Sequence, residues 1–303
     1  MKIKDIDEMS LIKRLSRNFR LDKTVIKGPG DDTAVIKWNK ERYLLYACDM
    51  TIEGVHFDLS EATPFQIGWK AIGRNISDIG AMGGVPKYAV ISLGISPRLD
   101  VSVADGICKG IKSLADKFGV NIVGGDMAKS ENIVMDISLI GNVEKKKLVL
   151  RSGAKTGDVI FVTGALGGSI KGKHLNFMPR VKEAREILSK FKINSMIDIS
   201  DGLVLDLNRI LEASTVGSCI YESAIPLSKD AASVNNALYD GEDYELLFTM
   251  SAKEARRFFR TAFNKMKTTV TLIGEIVSKK EGYNIIKEGG KEEKVKIKGY
   301  RHF

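Results

Sequence analysis

Cysteine and histidine are scarce in this sequence of 303 residues, which contains three of each. The cysteines, Cys48, Cys108 and Cys219, are odd in number and far apart along the chain. This distribution excludes a disulfide framework and a CxxC metal knuckle. The histidines are equally scattered, so a zinc site built from histidine and cysteine is not expected.

Long apolar runs are also absent. No stretch approaches the roughly 20 residues of a membrane span, and the charged first residues contain no apolar core of the signal-peptide type. We therefore expect a cytoplasmic protein with no membrane association. A composition of 44% hydrophobic and 28% charged residues is typical of soluble globular proteins. The length allows two domains, each with its own core.

The net charge of +9 raises the question of nucleic-acid binding. The basic residues do not form one stripe but occur in short mixed runs such as Lys145-Lys146-Lys147, and aromatic residues do not alternate with them as in RNA-binding sheets. The pattern favours a solvated basic surface and no nucleic-acid partner. Such a surface can still attract an anionic substrate.

Strand-like and helix-like segments alternate along the chain. Apolar residues three and four apart predict helices over 65–82, 101–118, 203–213 and 252–265. β-branched runs predict strands over 43–47, 88–95, 133–140, 159–163, 196–199, 245–250, 269–276 and 283–287. The charged run at 144–147 marks a plausible boundary. We therefore predict two α/β domains, 1–145 and 146–303.

Carboxylates recur beside glycine or other small residues at predicted turns and strand ends, with one inside the first long helix. They occur in Gly28-Pro29-Gly30-Asp31-Asp32, Cys48-Asp49-Met50, Asn75-Ile76-Ser77-Asp78, Gly124-Gly125-Asp126 and Asp198-Ile199-Ser200-Asp201-Gly202. Phosphoryl transfer from a nucleotide uses this combination, because Mg²⁺ takes oxygen ligands and glycine turns let backbone N–H groups approach phosphate. A P-loop is excluded, since no GxxxxGK[ST] motif is present.

Each of these motifs also has a purely structural interpretation. Gly30-Asp31-Asp32 could be a turn in which the aspartates bond local backbone. Asp78 could pair with Arg74 four residues earlier, and Ser200-Asp201-Gly202 could cap a helix. Short-range spacing alone therefore makes a metal–phosphate site possible without establishing it.

A longer ordered series of motifs is more specific. It comprises Gly30-Asp31-Asp32-Thr33-Ala34, Asp49-Met50, Glu53-Gly54-Val55-His56-Phe57, Gly68-Trp69-Lys70-Ala71, Asn75-Ile76-Ser77-Asp78, Ala81-Met82-Gly83-Gly84-Val85-Pro86, Gly124-Gly125-Asp126, Arg151-Ser152-Gly153-Ala154, Thr163-Gly164-Ala165-Leu166-Gly167, Met196-Ile197-Asp198-Ile199-Ser200-Asp201-Gly202-Leu203, Gly241-Glu242-Asp243-Tyr244-Glu245-Leu246 and Gly299-Tyr300-Arg301-His302-Phe303. From about residue 8 to the end, the chain resembles the thiamine-monophosphate kinase family. That family lies within the superfamily of aminoimidazole ribonucleotide synthetase and selenophosphate synthetase.

The resemblance implies a two-domain α/β fold of the aminoimidazole ribonucleotide synthetase type. Its N-terminal sheet would pair with that of a second subunit into a barrel, giving a homodimer, and an α/β domain would follow. It also implies an enzyme that transfers the γ-phosphoryl group of ATP to thiamine phosphate, a phosphate-group acceptor, with the help of several Mg²⁺ ions. The products would be thiamine diphosphate and ADP.

The resemblance further implies a role for each matching site residue. The implied Mg²⁺ ligands are Asp32, Asp49, Asp78, Asp126, Asp198 and Asp201, among which Asp78, Asp126 and Asp201 would be catalytic. The implied ATP contacts are Gly125, Asp126, Arg151 and Ser200. The implied thiamine phosphate contacts are His56, Glu242 and Tyr300. These types suit the roles, since arginine can fork onto phosphate oxygens and an aromatic ring can lie against the thiazolium.

The sequence departs from the family pattern at three places. Ala47 and Cys48 stand where hydroxyl residues are usual, and a thiol is a poor ligand for Mg²⁺. The stretch 168–178 is short, which could alter a wall of the site, and Asp240 replaces a common glycine. The alternatives are therefore a related ATP-dependent synthetase, or a binder of nucleotide or thiamine diphosphate that lacks catalysis.

Overall fold

The structure is a computed structural model that describes residues 2–300. The motif residues Arg301, His302 and Phe303 lie outside the described residues. The helices are α1 (Glu8–Ser16), α2 (Pro64–Ala81), α3 (Val101–Phe118), α4 (Lys173–Asn176), α5 (Val181–Lys190), α6 (Leu203–Ser214), α7 (Val234–Tyr239) and α8 (Ala252–Thr261). Short 3₁₀ helices cover Ile3–Asp5, Ser169–Lys171, Glu222–Ala224 and Phe263–Lys265.

The strands form two mixed sheets. The first sheet contains β1 (Val25–Lys27), β2 (Ala34–Lys37), β3 (Arg42–Ile52), β4 (Val85–Ile95), β5 (Asn121–Lys129) and β6 (Val134–Glu144), in the order β1-β2-β3-β6-β4-β5. The second contains β7 (Asp158–Thr163), β8 (Ser195–Asp198), β9 (Gly217–Tyr221), β10 (Leu246–Ser251), β11 (Val270–Val277), β12 (Tyr283–Ile286) and β13 (Glu292–Lys294), in the order β13-β12-β9-β11-β7-β10-β8. This confirms a two-domain α/β fold.

Helix α2 carries much of the N-terminal domain's core and begins where the sequence favours a helix start. Thr63 caps it by accepting the N–H of Gln66, the Gln66 side chain accepts the N–H of Thr63, and Pro64 occupies the first turn. Glycines let α2 pack directly against α3. A Cβ on Gly68 would lie 2.0 Å from the Ile107 carbonyl oxygen, and one on Gly110 would lie 1.9 Å from that of Phe65.

The C-terminal domain has three layers, because alternate residues of its central strand β7 face opposite sides. Ile160 and Val162 join a core with α6 and α7, whereas Phe161 joins a core with α5 and α8. Residues from both domains meet in the second of these cores, which includes Ala81 at the end of α2. The two domains therefore pack together at the end of the helix that carries Asp78.

Most of the predicted elements are confirmed, with shifts of a few residues at their ends. The predicted helix over 252–265 stops earlier, at Thr261. The prediction that Gly124, Gly125 and Asp126 form a turn is wrong, because all three lie within β5 and pair with β4. The structure supplies a reason for one glycine, since a Cβ on Gly125 would lie 2.0 Å from the Ile91 carbonyl oxygen.

Two further observations concern the predicted boundary and the membrane. β6 ends at Glu144 and the second sheet begins at Asp158, so the boundary between 145 and 146 falls between the sheets, but it stays a prediction. Within residues 2–300, no helix combines the length and the apolar character that crossing a bilayer requires.

Candidate active site

A cavity of about 470 Å³ is lined by residues of both domains. The structure brings most of the predicted site residues to this one place. They are Asp32, Asp49, His56, Asp78, Arg151, Asp198, Ser200, Asp201, Glu242 and Tyr300. The sequence motifs that carry them are as far apart as residues 32 and 300, so the long-range fold, and not local turns alone, assembles the site.

Three carboxylates form the centre of the cavity wall. Asp32 precedes β2, Asp78 lies in the last turns of α2, and Asp198 ends β8. One oxygen from each carboxylate lies within 4.8 Å of the others. Burial is the main cause that raises the pKa of all three, and for Asp78 and Asp198 the nearby carboxylates raise it further, well above the usual value. Such a cluster is suited to a cation.

An unsatisfied oxygen strengthens this interpretation. Oδ2 of Asp32 is buried and has no hydrogen-bond partner among the described residues. A buried carboxylate oxygen without a partner is costly, and oxygen is the ligand that Mg²⁺ takes. The donor set and the orphaned oxygen both fit Mg²⁺.

Arginines contact the carboxylates at the edges of this cluster. Nη2 of Arg151 lies 2.6 Å from Oδ1 of Asp32, and Nη2 of Arg74 lies 3.3 Å from Oδ1 of Asp49. Among residues 2–300, no cation lies within 4.0 Å of Asp78 or Asp198; Ser77 instead donates to Asp198 at 2.5 Å. Arg151 therefore pairs with one member of the cluster, Asp32, whereas Asp78 and Asp198 have no such cationic partner in the part of the chain that the structure describes.

The loop between β8 and α6 is held by a fully buried carboxylate that sequence reasoning missed. Oδ2 of Asp206 accepts the N–H groups of Ser200 and Asp201, both at 2.9 Å. Arg209 bridges Asp206 and Asp201 at 2.5 Å each. The available signal was an aspartate and an arginine three residues apart, beginning in the first turn of a helix that follows a Ser-Asp-Gly loop.

Another part of the cavity wall contains His56, Glu242 and Tyr300. Glu242 lies in a loop where its own φ is 53° and that of Tyr244 is 50°, values that non-glycine residues rarely adopt. A second cavity of about 220 Å³ shares His56 and Glu242 with the first. The carboxylate of Glu242 thus borders both spaces.

The short stretch 168–178 forms part of this wall. Its Ser169 hydroxyl donates to the Glu242 carbonyl at 2.6 Å, and its Gly168 N–H donates to the Asp240 carboxylate at 3.2 Å. At the other end of the stretch, the indole N–H of Trp69 in α2 donates to the Phe177 carbonyl at 2.8 Å. The departure at Asp240 therefore has a structural role, since its side chain anchors the shortened stretch.

Two predicted residues do not join the others. Gly125 and Asp126 lie on the exposed edge strand β5 and do not line the cavity. Cys48 does line it, and its thiol donates to Oδ1 of Asp136 at 3.0 Å. One chain as described therefore assembles all the predicted metal ligands except Asp126.

Comparisons with known proteins agree with this fold. The family model for the N-terminal domain of AIR synthase related proteins matches residues 30–143, and the model for their C-terminal domain matches residues 140–287. Fold and site thus define an AIR synthase related protein with two α/β domains.

More specific relatives are similar over their whole length. The thiamine-monophosphate kinase of Aquifex aeolicus is 34% identical, covering 100% of both chains, and that of Buchnera aphidicola subsp. Schizaphis graminum is 34% identical, covering 99% of both. The solved structure of AaThiL complexed with AMPPCP and TMP superposes with a TM-score of 0.85 at 32% identity, covering 100% of this chain and 99% of that one. The chain belongs to the thiamine-monophosphate kinase family.

Proposed function

We propose that this protein transfers the γ-phosphoryl group of ATP to thiamine phosphate, forming thiamine diphosphate and ADP. The observation that carries the proposal is the cluster of Asp32, Asp78 and Asp198 in a cavity between two domains. The relative with the same fold was solved with a nucleotide analogue and TMP bound, which supports the same pair of ligands here.

Mg²⁺ is the metal that these residues fit, because every candidate ligand is a carboxylate oxygen. We propose that Asp32, Asp49, Asp78, Asp198 and Asp201 hold it, and that Asp126 contributes from β5. When bound, the metal supplies the positive charge that neutralises the phosphate oxygens of ATP. We propose that several Mg²⁺ ions bind and share these ligands.

The chain's own residues then position the reactants. We assign Arg151 and Ser200 to the ATP phosphates, because Arg151 has a guanidinium suited to forked phosphate contacts and the Ser200 backbone is fixed by Asp206. Gly125, next to Asp126, is proposed to allow a close approach of backbone to ATP. His56, Glu242 and Tyr300 hold the acceptor, with Glu242 supplying negative charge toward the thiazolium.

The transfer itself needs little proton movement. An oxygen of the thiamine phosphate forms a bond to the γ-phosphorus, the bond from that phosphorus to the bridging oxygen breaks, and ADP leaves with the electron pair. A phosphate monoester has its second pKa at about 6, so the attacking oxygen is largely deprotonated at neutral pH. The residues therefore act by alignment and charge neutralisation.

A coupled assay of ADP release tests this function. With thiamine phosphate and Mg²⁺, we expect ADP and thiamine diphosphate in equal amounts, and no transfer after chelation. Release of ADP or phosphate without thiamine diphosphate would favour a related synthetase. Binding of either ligand without ADP release would favour a binder that lacks catalysis.

We also propose a homodimer formed through the N-terminal sheet. Large apolar side chains on one face of that sheet are exposed in the single chain, namely Tyr46, Met50, Tyr88 and Val90, and the edge strand β5 is exposed along its length. An unpaired edge beside an apolar face is a site for association. A light-scattering mass near 33.4 kDa with activity retained would contradict this.

The remaining expectations stay predictions. We expect no binding to nucleic acid and a cytoplasmic location. A binding titration on DNA and RNA at several salt concentrations tests the first, because non-specific binding driven by the net charge would weaken steeply with salt. Cell fractionation tests the second.

A further inference from the structure

Lys70 is a charged residue of helix α2, and its side chain is completely buried. The ammonium group lies 2.6 Å from the His56 carbonyl oxygen, 2.6 and 2.8 Å from the two carboxylate oxygens of Glu242, and 2.8 Å from Nδ1 of His174. A buried ammonium needs such partners, because leaving water without them is costly. Its three N–H donors can serve the His56 carbonyl oxygen and the two carboxylate oxygens of Glu242. With Lys70 donating in this way, the tautomer of His174 that carries its proton on Nδ1 can donate to Glu242.

The three side chains form a closed triangle. Nδ1 of His174 lies 3.0 Å from Oε2 of Glu242, so Lys70, His174 and Glu242 each contact the other two. We call this set the buried triad. Burial alone would raise the pKa of Glu242, but the hydrogen bond with His174 and the charge of Lys70 lower it to about 2. Glu242 is therefore fully ionised at neutral pH.

The position of the triad joins three separate parts of the chain. Lys70 comes from α2 of the N-terminal domain, His174 from the short stretch 168–178, and Glu242 from the loop before β10. Through its bond to the His56 carbonyl, Lys70 contacts two of the three residues assigned to the acceptor. A single buried cation thus contacts both His56 and Glu242 in the part of the cavity assigned to the acceptor, which we call the acceptor end.

The Glu242 side chain would otherwise have several positions open to it. Its backbone has a φ of 53°, and its side chain remains 23% exposed toward the cavities. A free glutamate loses considerable rotamer entropy when a ligand fixes it, and a side chain already held in place does not. A pre-positioned carboxylate therefore binds a cationic ring more tightly than a mobile one.

We propose that Lys70 and His174 are positioning residues that hold the Glu242 carboxylate in place for the cationic ring of the acceptor. The proposal rests on the proposed function for the class of acceptor. Neither residue touches the reacting phosphate, so both act through Glu242. The opposing interpretation is that the triad only ties the two domains together, and the two interpretations predict different kinetic changes.

A pair of substitutions at His174 separates these interpretations. His174→Asn keeps a polar atom close to the place of Nδ1, whereas His174→Leu has a similar volume and no polar atom. We expect the leucine variant to raise the KM for thiamine phosphate about tenfold or more, as for a lost hydrogen bond to a charged group. We expect the asparagine variant to recover most of that loss, and the KM for ATP to stay near its wild-type value in both.

The substitution Lys70→Met tests the same proposal independently, and a matched surface substitution serves as its control. Lys70→Met removes the charge from the triad and should raise the KM for thiamine phosphate more than His174→Leu does. Lys109→Met makes the same exchange at an exposed position of α3 and should change nothing. If Lys70→Met fails to fold, the double variant Lys70→Met with Glu242→Gln should fold again, because it leaves no unpaired buried charge, yet should still bind thiamine phosphate poorly.

Calorimetric binding of thiamine phosphate, in the presence of a non-hydrolysable ATP analogue, keeps the two proposals distinguishable. Unchanged acceptor KM and Kd in His174→Leu, in an enzyme that makes thiamine diphosphate, would overturn the positioning role alone. Equal increases in the KM for ATP and for acceptor, with a lower Tm, would overturn it in favour of a structural tie. A wild-type protein that binds acceptor but transfers nothing would overturn only the proposed reaction, and one that binds no acceptor would overturn both.

Discussion

Two groups of carboxylates line the cavity, and their pKa values are shifted in opposite directions. At the cluster of Asp32, Asp78 and Asp198, which we call the metal end, burial and neighbouring carboxylates raise the pKa values of Asp78 and Asp198. At the acceptor end, Lys70 and His174 overcome the effect of burial and lower the pKa of Glu242 to about 2. The difference shows that the partners, more than the burial, decide the charge at each end.

This comparison has a functional meaning. The carboxylates of the metal end lie close to one another, so a cation that binds there would neutralise their negative charge. The carboxylate of the acceptor end already has its cation within the protein. Asp78 and Asp198 are therefore suited to gaining a cation, whereas the Glu242 carboxylate is held in place before the acceptor binds.

Asp78→Asn should have the largest effect. We expect transfer to fall about a thousandfold or more, because a carboxylate is removed from the centre of the metal cluster. In Mg²⁺-free buffer, the same variant should melt at a higher temperature than wild type, since it relieves repulsion among buried carboxylates. Turnover assays and thermal melts test this, with Asp116→Asn on the surface of α3 as control. Near-wild-type turnover at limiting Mg²⁺ would contradict the assignment.

Asp126→Asn should be the next largest, with a loss of transfer of about a hundredfold. This variant tests whether a metal ligand lies outside the cavity of the single chain, because Asp126 is on the exposed strand β5. The measurement is turnover against Mg²⁺ concentration, beside a light-scattering mass. A variant with normal turnover and normal mass would remove Asp126 from the metal ligands.

Asp243, the residue after Glu242, provides a test of whether a buried carboxylate without a close cationic partner has a raised pKa. It is fully buried and accepts the Gly167 N–H at 3.0 Å on each oxygen, with Lys173 only at 3.9 Å. Burial raises its pKa from 3.8 to about 7. The folded state thus binds its proton more tightly than the unfolded state, and stability is lost as the pH rises from about 4 through 7.

Urea denaturation at pH 5 and pH 8 measures this effect. Wild type should lose about 1 to 3 kcal/mol more of its free energy of unfolding than Asp243→Asn over this interval. The asparagine keeps a carbonyl oxygen that can accept the Gly167 N–H. Parallel losses in the two proteins would show that Asp243 does not titrate in this range.

Cys48→Thr should have the smallest effect. A hydroxyl is a harder ligand than a thiol, so we expect the Mg²⁺ concentration for half-maximal rate to fall by up to about tenfold. The thiol is exposed and donates to Asp136, so a threonine hydroxyl would have both water and a partner available. A Mg²⁺ titration of activity beside a thermal melt provides the test. An unchanged midpoint with a lower Tm would instead indicate a packing role for Cys48.

The sequence indicated the residues that line the cavity better than the residues that support Glu242. Asp32, Asp78 and Asp198 stand in compact motifs, and the structure brings them together as the resemblance implied. Lys70 and His174 are 104 residues apart and Lys70 and Glu242 are 172 apart, so no local pattern joins them. A lysine on the buried face of an amphipathic helix was the one visible sign.

The elements of the fold were also predicted best where the local sequence pattern is clear. Helices with clear apolar spacing were predicted almost to the residue, because α2 and α3 bury one face along their length. Strand β5 was missed, since Gly124 and Gly125 have low strand propensity and suggest a turn. The neighbouring strand β4 overrides that preference, and its backbone comes so close to Gly125 that a side chain would not fit.

Helix α2 sets the spacing between Lys70 and Asp78. Lys70, Arg74 and Asp78 follow one another at intervals of four residues, so they share one side of the helix and rise about 6 Å at each step. The Cα atoms of Lys70 and Asp78 are thus about 12 Å apart along the helix axis, and the glycines Gly68 and Gly110 hold this helix in close contact with α3. Inserting one residue between Lys70 and Asp78 would turn Asp78 by about 100° away from its partners.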